Sequence, residues 1–281
     1  MLLQRVVTAL VLLPPVLATL WFGSTPLVGA VFGAVAMIGV LEWGTLTGMR
    51  GAGGKPGAMV LYVAAAAALT VLAVWLRATE LPWVLIVGTC AWWLVVLNWI
   101  ARYPVGFDDT HPPRWLQAAA GLLVIPGTIA AVALLHGAPG PEHFGALRLL
   151  FALVLVWAAD VGAYFAGKAF GRRKLAPAVS PGKTLEGVLG GLALSLLIAA
   201  VAGTWLFKLQ GTAAWLAFLL LCVVVVLLSI VGDLGESLLK RQVGVKDSGT
   251  LLPGHGGVLD RVDSLLAALP AMALGLRGLN L

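Results

Sequence analysis

Three short stretches of this 281-residue chain concentrate the side chains that can do chemistry. The first runs from Gly232 to Arg241, as Gly-Asp-Leu-Gly-Glu-Ser-Leu-Leu-Lys-Arg. In a helix, Asp233, Glu236, Ser237 and Lys240 fall at i, i+3, i+4 and i+7 and share one face. A helix lying on a membrane surface would show water the same kind of face. The second stretch, Lys246 to Asp263, joins Lys246-Asp247 to a turn holding Gly254, His255, Gly256 and Gly257. Glycines there permit a tight turn and close approach of backbone to a ligand. Asp260 and Asp263 follow at i and i+3, on the opening turn of an apolar segment. The helix dipole favours acids at that place, yet two acids flanking Arg261 at a membrane boundary are costly without a task. Their hard oxygens suit Mg²⁺, which takes one or two carboxylates and completes its shell with phosphate and water oxygens. Asp233 can supply a carboxylate from the neighbouring segment. His255 can serve the loop's own hydrogen bonding or reach a substrate.

The third stretch is Ser180-Pro-Gly-Lys-Thr-Leu-Glu-Gly187, preceded by Gly171-Arg172-Arg173-Lys174. Its Gly182-Lys183-Thr184 invites comparison with a P-loop, but Pro177 stands where that motif needs glycine and no strand pattern precedes it. What remains is a basic loop entering a helix, where amides and Lys183 can meet an anion. Arg172, Arg173 and Lys174 also suit an anchor on lipid headgroups. Asp160, one turn before Tyr164 inside an apolar segment, is either a functional acid or a helix-to-helix hydrogen-bonding group. Other chemistries fail on spacing. HExxH is absent, Ile230-Val231-Gly232-Asp233 lacks the first glycine of an intramembrane aspartyl protease, and no Ser–His pair lies on suitable segments. Basic residues are not interleaved with aromatics as a nucleic-acid partner would require.

These residues sit in a very apolar chain. Only 11% of residues are charged and 60% are hydrophobic, with 35 glycines besides and a mean hydropathy of +1.01. Soluble domains carry about 25% charged residues, so a soluble, disordered or disulfide-stapled chain is excluded. Cys90 and Cys222 each lie in an apolar run, as core thiols would. A spanning helix needs ~20 apolar residues. Candidate runs lie near 6–22, 26–47, 57–76, 82–101, 115–135, 147–168, 184–207, 212–231 and 258–277. The fold class is therefore all-α, a polytopic membrane bundle of about nine transmembrane helices. Pro14-Pro15 and the absence of an A-x-A-like site argue against a cleaved signal at the start.

Over the loops of nine spans, Arg5, Arg50, Lys55, Arg102, Arg114, Lys168, Arg172, Arg173, Lys174, Lys183, Lys240, Arg241, Lys246 and Arg261 fall on the N-terminal side. Arg77, Arg148, Lys208 and Arg277 fall opposite. Fourteen against four places the N-terminus in the cytoplasm. Residues 1–145 read as packing helices, with Gly29-x3-Gly33 and Gly44-x3-Gly48 as close-approach spacings. Residues 146–281 hold seven of the twelve acids, and their cytoplasmic loops are expected at 169–183 and 232–257. The eleven tryptophans, Trp92, Trp93 and Trp99 among them, suit interfacial anchoring.

The motifs together resemble one family, the phosphatidate cytidylyltransferases. Its signature S-x-L-K-R, four residues, K-D-x-G, two residues, L-P-x-H-G-G, two residues, D-R-x-D is met at every specified position from Ser237 to Asp263. Trp157-x2-Asp160 with Ala163-Tyr164, and the block at 180–187, resemble upstream motifs of that family. The resemblance covers roughly 155–263 and implies a multi-pass enzyme that condenses CTP with phosphatidic acid, releasing pyrophosphate and leaving CDP-diacylglycerol among the membrane lipids. It also implies dependence on Mg²⁺, with K⁺ able to share the site, and a homodimer. By the family pattern the metal acids are Asp233 and Asp260. Lys240, Arg241, Lys246, Asp247, Arg261 and Asp263 are then expected to carry catalysis. Ser180, Lys183, Thr184, Glu186, His255, Gly256, Gly257 and Asp160 are expected at the substrates. Chain length and Ala, Gly and Leu content resemble bacterial members, which implies a cell inner membrane with the site facing the cytoplasm. Two other classes share part of the pattern: a different membrane phosphotransferase and an ion-coupled transporter using Asp160 and Asp233. The first lacks its DGxxAR-type spacing here, and the second would release no pyrophosphate.

Overall fold

A computed structural model describes residues 2–49, 56–103, 112–251 and 256–281. His255 lies outside the described residues, as do Arg50 and Lys55. The elements in chain order are α1 (Leu2–Phe22), α2 (Thr25–Leu46), α3 (Pro56–Trp75), α4 (Leu81–Arg102), α5 (Arg114–His136), α6 (Phe144–Phe170), β1 (Lys174–Ala176), β2 (Ser180–Thr184), α7 (Leu185–Trp205), α8 (Thr212–Gln242) and α9 (Leu259–Gly278). Among the described residues, seven of these helices, α2 to α8, are long and apolar enough to cross a membrane. The about nine spans expected are not met on that criterion. In α9, Asp260, Arg261, Asp263 and Arg277 dilute the apolar run, and the apolar stretch described for α1 is only Leu13–Phe22.

Local sequence explains the ends. Proline opens α2 and α4, where its missing N–H costs nothing. Thr184 caps α7, its Oγ1 accepting the Gly187 N–H at 3.1 Å. The predicted loop 169–183 contains an antiparallel hairpin of β1 and β2, with Lys174 opposite Thr184 and Ala176 opposite Ser180. The predicted loop 232–257 needs correction, because residues 232–242 continue α8. The 31 residues of α8 make a helix of about 47 Å at ~1.5 Å per residue, well beyond a ~30 Å hydrocarbon layer. Its last three turns therefore carry the Asp233–Lys240 face without a break in the helix.

α5 is the central helix, packed on α2, α3, α4, α6 and α9. α6 lies closest on α7, and α8 on α9. Small residues make the first approach possible: a Cβ at Gly162 would stand 2.5 Å from the Gly190 carbonyl oxygen, and one at Gly191 2.7 Å from that of Ala159. The glycine spacings of α2 serve the same purpose, with Gly29 against Val74 and Gly44 against Met59 of α3. Trp92, Trp93 and Trp99 are core residues and not interfacial anchors. Trp93 is 1% exposed, and its indole N–H finds the Leu266 carbonyl at 3.0 Å, which lets so large a polar-tipped ring be buried. Trp75, Trp115 and Trp205 are exposed, as anchors are. Cys90 and Cys222 are free thiols, the latter fully buried.

Candidate active site

The end of α8 and the start of α9 lie against each other through Gly232, where a Cβ would stand 2.5 Å from the Asp263 carbonyl oxygen. That contact brings the two acid-bearing turns together. Lys240 reaches across them, its Nζ pairing with Glu236 Oε2 one turn back and with Asp260 Oδ1 at 2.6 Å. The other oxygen of Asp260 accepts the Ser248 N–H (2.9 Å), the Ser248 hydroxyl (3.0 Å) and the Gly257 N–H (2.8 Å). Asp260 is thus held from three sides. Glu236 is 1% exposed, and its Oε1 has no hydrogen-bond partner.

A residue that the sequence reading passed over completes this arrangement. Glu42, on α2, is buried. Its Oε1 accepts the Val258 N–H at 3.0 Å, and its Oε2 accepts the Leu259 N–H at 2.7 Å and the Ser248 hydroxyl at 2.9 Å. The carboxylate therefore sits on the amides at the start of α9, where the helix dipole favours an anion. Ser248 has one hydroxyl proton and two carboxylates, Glu42 and Asp260, within reach of it. Glycine is required around them: a Cβ at Gly257 would stand 2.2 Å from Ser248 Oγ and 2.6 Å from both Glu42 oxygens, and one at Gly249 2.4 Å from Glu42 Oε1. The signal for Glu42 was present, an acid inside an apolar run, by the argument applied to Asp160.

Beside this cluster, Lys183 extends from β2 to pair with Asp233 Oδ2 at 2.7 Å. Ser237 contributes a long 3.4 Å hydrogen bond to the other oxygen of Asp233. Lys183, Asp233, Asp160 and Thr184 line one pocket between α6, α7, α8 and β2, of about 400 Å³. Lys168 and Tyr164 of α6 line it too, and the rest of the wall is small and apolar, including Ala159, Ala163, Val188 and Ile230. The charged groups on Asp160, Lys183, Asp233 and Asp263 lie within electrostatic reach of one another.

Other expected site residues stand at the rim of the cluster or apart from it. Arg241 turns toward the hairpin, where its Nε donates to the Val179 carbonyl at 3.4 Å. Glu186 is bound to the backbone, accepting the N–H groups of Arg172 (3.0 Å) and Arg173 (3.2 Å). It steadies the entry to the hairpin and borders a separate pocket beside Phe170 and Arg172. Ser180 opens β2, half-buried. Lys246 and Asp247 are exposed on the loop after α8, and Arg261 is exposed on the first turn of α9. Gly256 has φ +82°, and a Cβ there would stand 2.7 Å from Asp260 Oδ2.

Hard oxygen donors, of the kind a divalent cation takes, are gathered here. Asp160, Asp233, Glu236, Asp260 and Asp263 are five carboxylates, and Lys183 and Lys240 pair with three of them. Lys168 lines the same pocket as Asp160 and Asp233, and Arg261 stands between Asp260 and Asp263 in the sequence, so cations and carboxylates are interleaved at this end of the bundle. Among the described residues no three His, Cys, Asp or Glu side chains converge as a ready cage. Mg²⁺ does not need one, since substrate phosphates and water complete its shell.

Residues 3–278 match the cytidylyltransferase family. A phosphatidate cytidylyltransferase of Pseudomonas aeruginosa is 43% identical over 275 residues, 97% of this chain and 96% of its own. One of Haemophilus influenzae is 38% identical over 286 residues, 96% of each chain. One of Bacillus subtilis is 43% identical over 132 residues, 46% of this chain and 47% of its own. A match over nearly the whole length, on a bundle whose acids and lysines converge at one end, means that this chain belongs to the cytidylyltransferase family.

Proposed function

We propose that the chain is a membrane nucleotidyltransferase that condenses CTP with phosphatidic acid to give CDP-diacylglycerol and pyrophosphate. The observation that carries this reading is the pocket between α6, α7 and α8. Lys168, Lys183, Asp160 and Asp233 give it charge, and much of the remaining wall is small and apolar. A phosphorylated lipid has the matching polarity. In the reaction an oxygen of the phosphatidate phosphate attacks the α-phosphorus of CTP, the bond from that phosphorus to the bridging oxygen breaks, and pyrophosphate leaves with the electron pair. The nucleophile is already an anion and needs little help from a base. The barrier is the approach of two anions, so the protein's contribution is positioning and charge stabilisation.

Lys183, on a strand and not on a mobile tail, offers its ammonium to phosphate oxygens at the pocket mouth. Lys240 holds Asp260 and Glu236 in place, and the Glu42–Ser248 pair fixes the backbone that holds Asp260. Lys246, Asp247 and Arg261 stand on the loop and turn that border the cluster, where they can meet the triphosphate. Asp233 and Asp260, with Asp160 and Asp263 as neighbours, are the carboxylates that would hold Mg²⁺, with K⁺ as a second cation. Bound there, a divalent ion supplies neutralisation of phosphate charge. In this reading the enzyme is a homodimer in a cell inner membrane with its site toward the cytoplasm. Fourteen of eighteen basic residues falling on one side of the spans supports that orientation.

The test is purified protein in detergent with phosphatidate, Mg²⁺ and each nucleoside triphosphate in turn, following pyrophosphate. Release with CTP that requires phosphatidate is expected. Absence of a lipid-dependent signal refutes the reading.

A further inference from the structure

Another pocket with charged lining lies at the other end of the bundle. It has a volume of about 230 Å³ and is bounded by Trp83 of α4, Leu134 of α5, Arg148 of α6 and Arg277 of α9. Along α6, residue 148 precedes Asp160 by 12 positions, about 18 Å at ~1.5 Å per residue. Along α9, residue 277 follows Asp260 by 17 positions, about 25 Å by the same rise. The two arginines are therefore remote from the acid–lysine cluster.

Arg148 is only 9% exposed. Its Nε is buried without a hydrogen-bond partner, and among the described residues no carboxylate pairs with its guanidinium. Its one close neighbour of note is the Phe144 ring, with Cζ 5.8 Å from the centroid. A cation buried this way is costly unless something compensates it. Arg277 lies over the Trp83 ring at 4.2 Å, which fixes its plane. Its carboxylate neighbour Glu80 is exposed and 3.7 Å away, a loose pair that contributes little. Two guanidinium groups thus face one peripheral side-chain acid. The planar fork of arginine matches phosphate oxygens two at a time, and Trp83 and Leu134 supply an apolar wall beside them.

We propose that this pocket binds a phosphate-bearing anion through Arg148 and Arg277, and that its source is the headgroup of an anionic phospholipid in the leaflet opposite the acid–lysine cluster. The site is distinct from the proposed reaction and does not depend on that assignment.

The test compares delipidated full-length protein with Arg148→Met and Arg277→Gln, measuring thermal unfolding with phosphatidylglycerol, phosphatidylcholine or inorganic phosphate. Phosphatidylglycerol is expected to stabilise the unsubstituted protein beyond phosphatidylcholine. Arg148→Met is expected to lose that difference, with apparent affinity weakened on the order of tenfold or more, the scale of one charge-assisted hydrogen bond. Without lipid, Arg148→Met should unfold no earlier than the unsubstituted protein, because only an unpaired charge is removed. Arg277→Gln, on the more exposed partner, should lose the same difference and serves if Arg148→Met fails to fold. Inorganic phosphate reproducing the shift would keep the anion site and overturn the lipid source. A phosphatidylglycerol response equal in all three proteins would overturn the site.

Discussion

Glu42→Gln tests whether the N-terminal half of the chain sets the position of Asp260. The carboxylate accepts three hydrogen bonds, from Val258 N–H, Leu259 N–H and the Ser248 hydroxyl. An amide can place its oxygen where Oε2 stands and keep two of these, but its NH2 then confronts the Val258 N–H. One charge-assisted bond is lost, at ~1.5–3 kcal/mol, and the other two fall to neutral strength, at ~1 kcal/mol each. Together this is about 3–5 kcal/mol. If the loop must hold Asp260 in the transition state, kcat/KM falls by about 100- to 4,000-fold, since ~1.4 kcal/mol is tenfold. The assay is CTP-dependent pyrophosphate release on protein shown to be folded by gel filtration and thermal unfolding. Glu42 and Ser248 act through one contact, so Glu42→Gln and Ser248→Ala combined should cost clearly less than the sum of the two. Turnover within about twofold of normal, or costs that simply add, would refute the coupling.

Asp260→Asn removes one unit of charge and the pairing with Lys240; turnover should vanish in a folded protein, and normal CTP-dependent activity would remove Asp260 from the site. Gly257→Ala places a Cβ 2.2 Å from Ser248 Oγ and should cost at least ~1–3 kcal/mol of stability, read as a lower unfolding midpoint with lost turnover. Gly182→Ala meets nothing within 4 Å, and its unfolding midpoint should match that of the unsubstituted protein. Lys183→Met leaves Asp233 unpaired in the pocket and should depress kcat/KM on the order of 100-fold, the loss of one buried charge-assisted contact to phosphate. Arg173→Gln should leave pyrophosphate release near normal, since the exposed residue meets Glu186 through its backbone N–H.

The helices were legible because ~20-residue apolar runs broken by Gly, Pro and charge admit one reading in a bilayer. The shared face of Asp233, Glu236 and Lys240 was legible too, since 3.6 residues per turn dictates it once the segment is helical. Where α8 ends was not, because the charges that suggested a loop are compatible with a helix whose charged face meets charged partners. The chain's own pattern likewise could not separate Arg241 from Lys240: adjacent cations point about 100° apart on a helix, and only the packing of α8 shows that one meets Asp260 and the other the hairpin. Tertiary structure decided the burial of Trp92, Trp93 and Trp99, because hydropathy does not distinguish lipid from protein as the apolar neighbour. It also decided the role of Glu42, whose partners lie more than 200 residues away in sequence, and the isolation of Arg148. Local spacing determines which side chains share a face; which opposing charge each one meets depends on how the helices pack.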